Sequence, residues 1–172
     1  LLPTLANINT LGNLNHTFST AGAGVVSLTF TASNTQELLL LEYRNYNGDT
    51  IKIDNKRIRF HGIDAPEKKQ ICNKDLKKYS CGKKATEALT KKINGKRVVC
   101  KVFDRVDRYK RYLGICFLGE INLNKWMVRN GYAVAYKRYS EDYIDDEKYA
   151  KKNKIGLWSG KFIHPEKWRK QN

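Results

Sequence analysis

Three acidic residues sit where the chain turns. Asp49 follows Asn47-Gly48, and Asp64 and Glu67 flank Ala65-Pro66. Proline fixes its own φ and pushes the residue before it towards extended backbone, so the segment 64–67 is stiff. Carboxylates on stiff turns are suitable ligands for a hard cation such as Ca2+, which also accepts backbone carbonyls. Taken singly, each acid reads better as a plain turn or solvated residue, and the arginines add the weight. Arg59 lies on the stretch that feeds Asp64, and Arg111 ends Asp107-Arg108-Tyr109-Lys110-Arg111. A guanidinium stays charged at any working pH and grips phosphate with two donors. Two arginines, a cation and a carboxylate base form a set suited to phosphodiester hydrolysis. The base takes the proton of water, and the positive groups stabilise the charge that the five-coordinate phosphate gains.

Those residues need a rigid frame, and the sequence outlines one. Residues 37–46 contain the apolar run Leu38-Leu39-Leu40-Leu41, short enough for a buried strand. Asn47-Gly48-Asp49 is a turn, Thr50-Ile51-Lys52-Ile53 alternates, residues 54–56 turn again, and Arg57-Ile58-Arg59-Phe60 alternates. Residues 82–93 place Ala85, Ala88, Leu89 and Ile93 on one helical face, with Asn94-Gly95 as the stop. A hairpin centred near Arg108 supplies two more strands. Asn122 or Asn124 caps a short helix that ends at Gly131, and Ser140 caps a last helix over residues 141–153. This order predicts an α+β, mainly β fold: a five-stranded Greek-key OB-fold barrel with about three helices. A sandwich needs more strands, and a doubly wound sheet needs a helix between nearly every strand pair.

Charge divides the chain. Lys plus Arg is 33 and Asp plus Glu is 17, a net +16, yet residues 1–36 carry none of these types. The expected division is an uncharged leader, linker or remnant of a neighbouring segment over 1–36, then one domain over 37–172. Within the leader, residues 25–32 favour a strand and residues 17–22 read as a strand running into a glycine turn. Residues 1–36 lack the positive start and compact apolar stretch of a secretory signal. So basic a body attracts polyanions, of which nucleic acid is the commonest. No stretch reaches the ~18 apolar residues of a spanning helix, and no membrane partner is expected.

Cysteine spacing adds a compartment. If the hairpin is centred near Arg108, Cys100 and Cys116 face each other across it, close enough for a bridge. Cys72 and Cys81 then close a short Lys-rich loop. The competing reading is four free thiols in a cytosolic protein. Zinc is disfavoured because there is no CxxC pair and the three histidines are scattered. Two disulfides predict a secreted or periplasmic protein.

Six segments then fall in a known order. They are Asn47-Gly48-Asp49-Thr50; Arg59 with Gly62-Ile63-Asp64-Ala65-Pro66-Glu67; Cys81-Gly82-Lys83-Lys84-Ala85; Asp107 to Arg111; Val128-Arg129-Asn130-Gly131-Tyr132-Ala133; and Gly156-Leu157-Trp158. Together they resemble the staphylococcal nuclease-like (thermonuclease) family over about residues 38–158. The resemblance implies an OB-fold, Ca2+-dependent, sugar-nonspecific endonuclease that cleaves DNA and RNA and leaves 3′-phosphate ends. By position it implies Asp49, Asp64 and the Ala65 carbonyl as Ca2+ ligands, Glu67 as general base, and Arg59 and Arg111 as phosphate and transition-state clamps. It implies Arg108, Tyr109 and Tyr136 as substrate contacts. Asn47 stands where many relatives have Asp, and Lys110 where Gly is usual.

The expected partners are DNA and RNA, with single strands preferred because an OB groove holds splayed bases, and the chain is expected to be a monomer. Two alternatives compete: a catalytically weak OB-fold module that binds nucleic acid, and a nuclease toxin domain released from a larger polypeptide. Trp126, Trp158 and Trp168 read as packing anchors, and His61 as a neighbour of the site rather than a participant.

Overall fold

A computed structural model describes the backbone of residues 15–20, 23–30, 35–39, 43–53 and 55–172, and the side chains of 47–53 and 55–172. The turn expected at Gly22, the centre of the apolar run at Leu40 and Leu41, and the start of the turn at 54 lie outside the described residues.

Thirteen strands and four α-helices are described. In the first half the strands are β1 (Asn15–Thr20), β2 (Ala23–Phe30), β3 (Thr35–Leu39), β4 (Tyr43–Asn47), β5 (Thr50–Ile53), β6 (Lys56–Phe60), β7 (Ile63–Asp64), β8 (Ile71–Lys74) and β9 (Lys77–Ser80). Helix α1 (Cys81–Ile93) follows, then β10 (Val99–Val106), β11 (Tyr112–Leu118) and β12 (Ile121–Asn122). The remainder is α2 (Leu123–Arg129), β13 (Val134–Ala135), α3 (Ile144–Lys152), a 3-10 turn at Gly156–Ser159 and α4 (Pro165–Gln171). The main sheet runs β1-β2-β3-β10-β11-β6-β5-β4, with β12 added to β11. Its β6–β11 pairing is parallel, whereas β4–β5 and β5–β6 are antiparallel hairpins. The boundary of charge at residue 36 falls inside β3, which pairs with β2 on one side and β10 on the other.

Alternation explains the core. Ile51 and Ile53 on β5, Ile58 and Phe60 on β6, and Val102 on β10 point to one side, and Ala85, Leu89 and Ile93 of α1 cover them. α1 ends as expected, with Asn94 in the left-handed region at φ 44° and its N–H bonded to the Thr90 carbonyl. The hairpin register puts Cys100 opposite Cys116, and both disulfides are present, Cys72–Cys81 and Cys100–Cys116.

The structure sharpens two local expectations and corrects two. The loop between Cys72 and Cys81 is a hairpin, β8–β9, whose bridge reaches the first residue of α1. Asn122 caps α2 by accepting from the Lys125 N–H at 3.0 Å. Asn124 is instead buried and cross-links the sheet through Cys116 N, His61 O and Gly114 O. α3 starts at Ile144 rather than 141, because Ser140 bonds locally to Asp142 and Tyr143 is drawn into the core. A fourth α-helix, α4, follows the 3-10 turn; its signals, Pro165 at the first position, Glu166 in the first turn and Arg169 and Lys170 in the last, were left unread.

Candidate active site

The β4–β5 turn and the segment after β6 bring the predicted acids together. Gly48 fits at that turn because a Cβ there would lie 2.9 Å from those of Ala65 and Ala85. The Asp49 carbonyl accepts from Phe60 N at 2.8 Å, which ties the turn to the end of β6. β7 pairs with β13 and sets Asp64 opposite Val134. Glu67 sits in the next loop, fastened by the fully buried Gln70. Gln70 N donates to the Glu67 carbonyl at 2.7 Å, and Glu67 N donates to Gln70 Oε1 at 3.2 Å. The first turn of α1 packs on this loop so closely that only glycine fits at 82, where a Cβ would stand 1.8 Å from the Glu67 oxygen.

Asp49 and Asp64 are both almost fully buried, at 3% and 1% exposure, and buried carboxylates need cationic or hydrogen-bonding partners. Arg59 supplies one, bridging Asp49 Oδ2 at 2.7 Å and Asp64 Oδ1 at 3.1 Å. Asp49 also accepts from Ala65 N at 2.9 Å and from the Thr50 hydroxyl at 3.1 Å. Asn47 Oδ1 accepts from Asp49 N at 3.3 Å, so this residue shapes the turn. A second guanidinium comes from α4: Arg169 bonds both oxygens of Asp64, at 2.8 and 3.1 Å, and Glu67 Oε1 at 3.0 Å. Burial pushes the Asp64 carboxyl up from its ordinary value, against the pull of Arg169 and Arg59. Burial also opposes the charge of Arg169, but the contacts to Asp64 and Glu67 outweigh it and raise its pKa.

Arg111 reaches the same neighbourhood from the β10–β11 hairpin. Its Nε and Nη2 grip Asp107 Oδ2 at 2.8 and 2.7 Å, and its Nη1 lies 3.4 Å from the Thr50 hydroxyl that bonds Asp49. The hairpin tip is tight: Lys110, where Gly is usual, takes φ 58°. Tyr109 carries the Arg108 and Arg111 cations 4.8 and 5.1 Å from its ring centre, and its carbonyl is tied to Arg57 at 2.7 Å. Tyr136 borders a cavity of about 450 Å3 that starts at Asp64 and is lined by Lys137, Arg138, Lys151 and His164. Burial and the Asp64 charge raise the Tyr136 phenol pKa, so it remains a donor. His61 stacks edge-on to Phe103, with ring centres 4.9 Å apart.

Asp49, Arg59, Asp64 and Ala65 thus meet directly, Glu67 joins them through Arg169, and Arg111 through Thr50. Arg108 and Tyr109 stand at the hairpin tip beside Arg111. Sequence reasoning missed Asp107, Gln70 and Arg169. A capping carboxylate four residues before Arg111 was a readable signal for Asp107; Arg169 had none. Among the described residues no three His, Cys, Asp or Glu side chains cluster as a ready-made metal cage. The donor set is oxygen only, two carboxylates on adjoining turns beside backbone carbonyls, and that chemistry fits a hard cation.

Known proteins share this arrangement of sequence. Residues 57–160 match the family described as staphylococcal nuclease homologue. The chain is 32% identical over 121 residues to the succinoglycan biosynthesis protein ExoI of Rhizobium meliloti (strain 1021), covering 69% of this chain and 63% of that protein. It is 34% identical over 133 residues to an uncharacterized endonuclease of Haemophilus influenzae, covering 73% and 69%. An uncharacterized endonuclease of Escherichia coli O157:H7 is 37% identical over 123 residues, covering 67% and 74%. The chain therefore spans less than two thirds of the first of these relatives.

Proposed function

The chain belongs to the staphylococcal nuclease family, and from that premise we propose that it is a Ca2+-dependent endonuclease that hydrolyses DNA and RNA to 3′-phosphate ends. The observation that carries this reading is the meeting of Asp49, Arg59, Asp64 and Glu67 within hydrogen-bonding range of shared guanidinium groups. Asp49, Asp64 and the Ala65 carbonyl hold the cation, which supplies Lewis-acid stabilisation of the phosphoryl oxygens. Glu67 accepts the proton of the attacking water, with its backbone held from both sides by Gln70. Arg59 turns a donor from the carboxylates to the phosphate. Arg111, braced by Asp107, meets the charge that develops towards the leaving oxygen. Arg108 and Tyr109 bind the flanking phosphate, and Tyr136 lies along the strand's path. Retention of all five acids and arginines supports catalysis over a silent binding module.

We further assign residues 37–172 as the catalytic unit and its sheet as an OB-type barrel. One feature of the sheet order supports closure. β3 and β4 are four Cα steps apart in the chain, at most about 14 Å, yet stand at opposite ends of the run β3-β10-β11-β6-β5-β4. Flat, that run spans about 24 Å, so the sheet must curl to bring its ends together. The two disulfides support an oxidising compartment, secreted or periplasmic. Among the described residues no helix is long and apolar enough to cross a membrane.

The test is digestion of closed circular DNA and of a structured RNA with Ca2+, Mg2+ or excess EGTA, beside Glu67→Gln. Cleavage is expected with Ca2+ alone, with 3′-phosphate ends, and reduced by orders of magnitude in the variant. Full digestion in EGTA refutes the metal assignment.

A further inference from the structure

The C-terminal segment enters the site it follows. Lys161 pairs with Asn73 on β8 through two backbone hydrogen bonds of 2.9 and 2.8 Å. The Ile163 carbonyl accepts from Gln70 Nε2 at 2.6 Å, and Gln70 is the residue that fastens the Glu67 loop. Pro165 then starts α4 and is its buried residue, while the rest of the helix stays at least partly exposed. From this lightly packed helix, Arg169 reaches over and takes both oxygens of Asp64 and one of Glu67. Its side chain is 34% exposed, so it sits at the mouth of the site rather than in the core.

Charge shows what this contact does. Asp49, Asp64 and Glu67 carry three negative charges, and Arg59 and Arg169 answer with two. A divalent cation in place of Arg169 brings the set to neutrality and also frees Glu67 to take a proton. Arg169 occupies a lone pair on each Asp64 oxygen and Arg59 takes a second on Oδ1, so a cation binding Asp64 competes with Arg169 for what is left. We propose that α4 is a built-in plug, in which Arg169 stands in for the divalent cation and holds the proton acceptor in an ion pair until Ca2+ displaces it. The proposal deepens the nuclease reading and rests on it.

Released, α4 frees Arg169 beside Lys167 and Lys170, which line the cavity that starts at Asp64.

The experiment titrates the full chain and its Arg169→Gln variant with Ca2+ alone, by calorimetry without nucleic acid. A plug seated in about nine molecules of ten weakens apparent affinity about tenfold, so the variant should bind Ca2+ about tenfold tighter. In the unaltered chain, amide exchange across residues 166–171 should speed up on adding Ca2+, a readout that needs no substitution. Asp64→Asn serves as the control that removes the shared ligand. Equal Ca2+ affinities in the chain and in Arg169→Gln, both abolished by Asp64→Asn, would overturn the plug and leave the nuclease reading standing. Weaker Ca2+ binding in Arg169→Gln would make Arg169 a support of the site and equally overturn the plug. Unchanged exchange of α4 at saturating Ca2+ overturns it for the native chain. If neither protein binds Ca2+, the cation reading fails and the plug with it.

Discussion

Replacing Gly82 by alanine tests how tightly the fold holds the proposed base. Gly82 is the second residue of α1, where alanine is intrinsically better than glycine by about 1 kcal/mol. Propensity alone therefore predicts a more stable protein. The surroundings predict the opposite. A Cβ at this position lies 1.8 Å from the Glu67 oxygen, 2.5 Å from its carbonyl carbon and 3.0 Å from the Lys68 Cα. All three are backbone atoms, so no side chain can rotate away, and the loop must retreat by about 1–2 Å to reach an ordinary contact of about 3.5 Å. That retreat breaks the 2.7 Å bond from Gln70 N to the Glu67 carbonyl. Overpacking costs about 1–3 kcal/mol and an orphaned buried amide about as much again, so after the helix gain the net loss is about 1–5 kcal/mol. At about 2–4 °C per kcal/mol for a chain of this size, Tm should fall by several degrees. A catalytic carboxylate displaced by about 1 Å loses about 10²-fold in rate. Thermal melts and turnover of a short oligonucleotide, measured where circular dichroism shows the variant folded, check both effects. An unchanged or raised Tm with kcat within twofold of the parent refutes the packing argument and the importance of the loop's placement.

Four further outcomes are expected. Arg111→Ala should lower kcat by about 10²–10³-fold, whereas Arg108→Ala should act mainly on KM; near-parental turnover of Arg111→Ala removes that arginine from the chemistry. Asp107 is pushed up by burial, but its bonds from the Arg111 side chain and backbone prevail and hold it below the ordinary carboxylate range. Its brace should therefore persist at all pH above about 3.9 and be lost only as pH falls through the depressed value; a protected Arg111 Nε–H signal followed by NMR should vanish there, and in Asp107→Asn at every pH. Reducing both disulfides should destabilise the protein, with the Cys100–Cys116 closure worth about 3 kcal/mol; a denaturant midpoint unmoved by reductant contradicts this. Binding of Glu67→Gln to single-stranded DNA should weaken steeply with salt, each neutralised phosphate adding about 0.7 to the log–log slope; a flat dependence means the basic face is not the binding face, and tighter duplex binding at every salt refutes the single-strand preference.

Much of the site was readable because its parts are local. Asp49, Asp64 and Glu67 lie on turns that Gly48 and Pro66 announce, and Arg59 sits on the alternating strand between them, so short-range sequence carried both the residue types and their stiffness. The Cys100–Cys116 pairing was readable for a similar reason, since a hairpin's register follows from its centre. Where tertiary packing competes with local preference, the reading failed. Asn122 and Asn124 were equal cap candidates until the sheet claimed Asn124 for three buried hydrogen bonds. Ser140 was a good cap, but burial of Tyr143 delayed the helix to Ile144. Arg169 lies 105 residues from Asp64 and 102 from Glu67, in a segment with no motif. Which of the 33 basic side chains meets a buried carboxylate is decided by the path of the chain around the core. Propensity and periodicity act over a few residues, whereas the desolvation that forces Asp64 to find a second cation exists only once the fold has buried it.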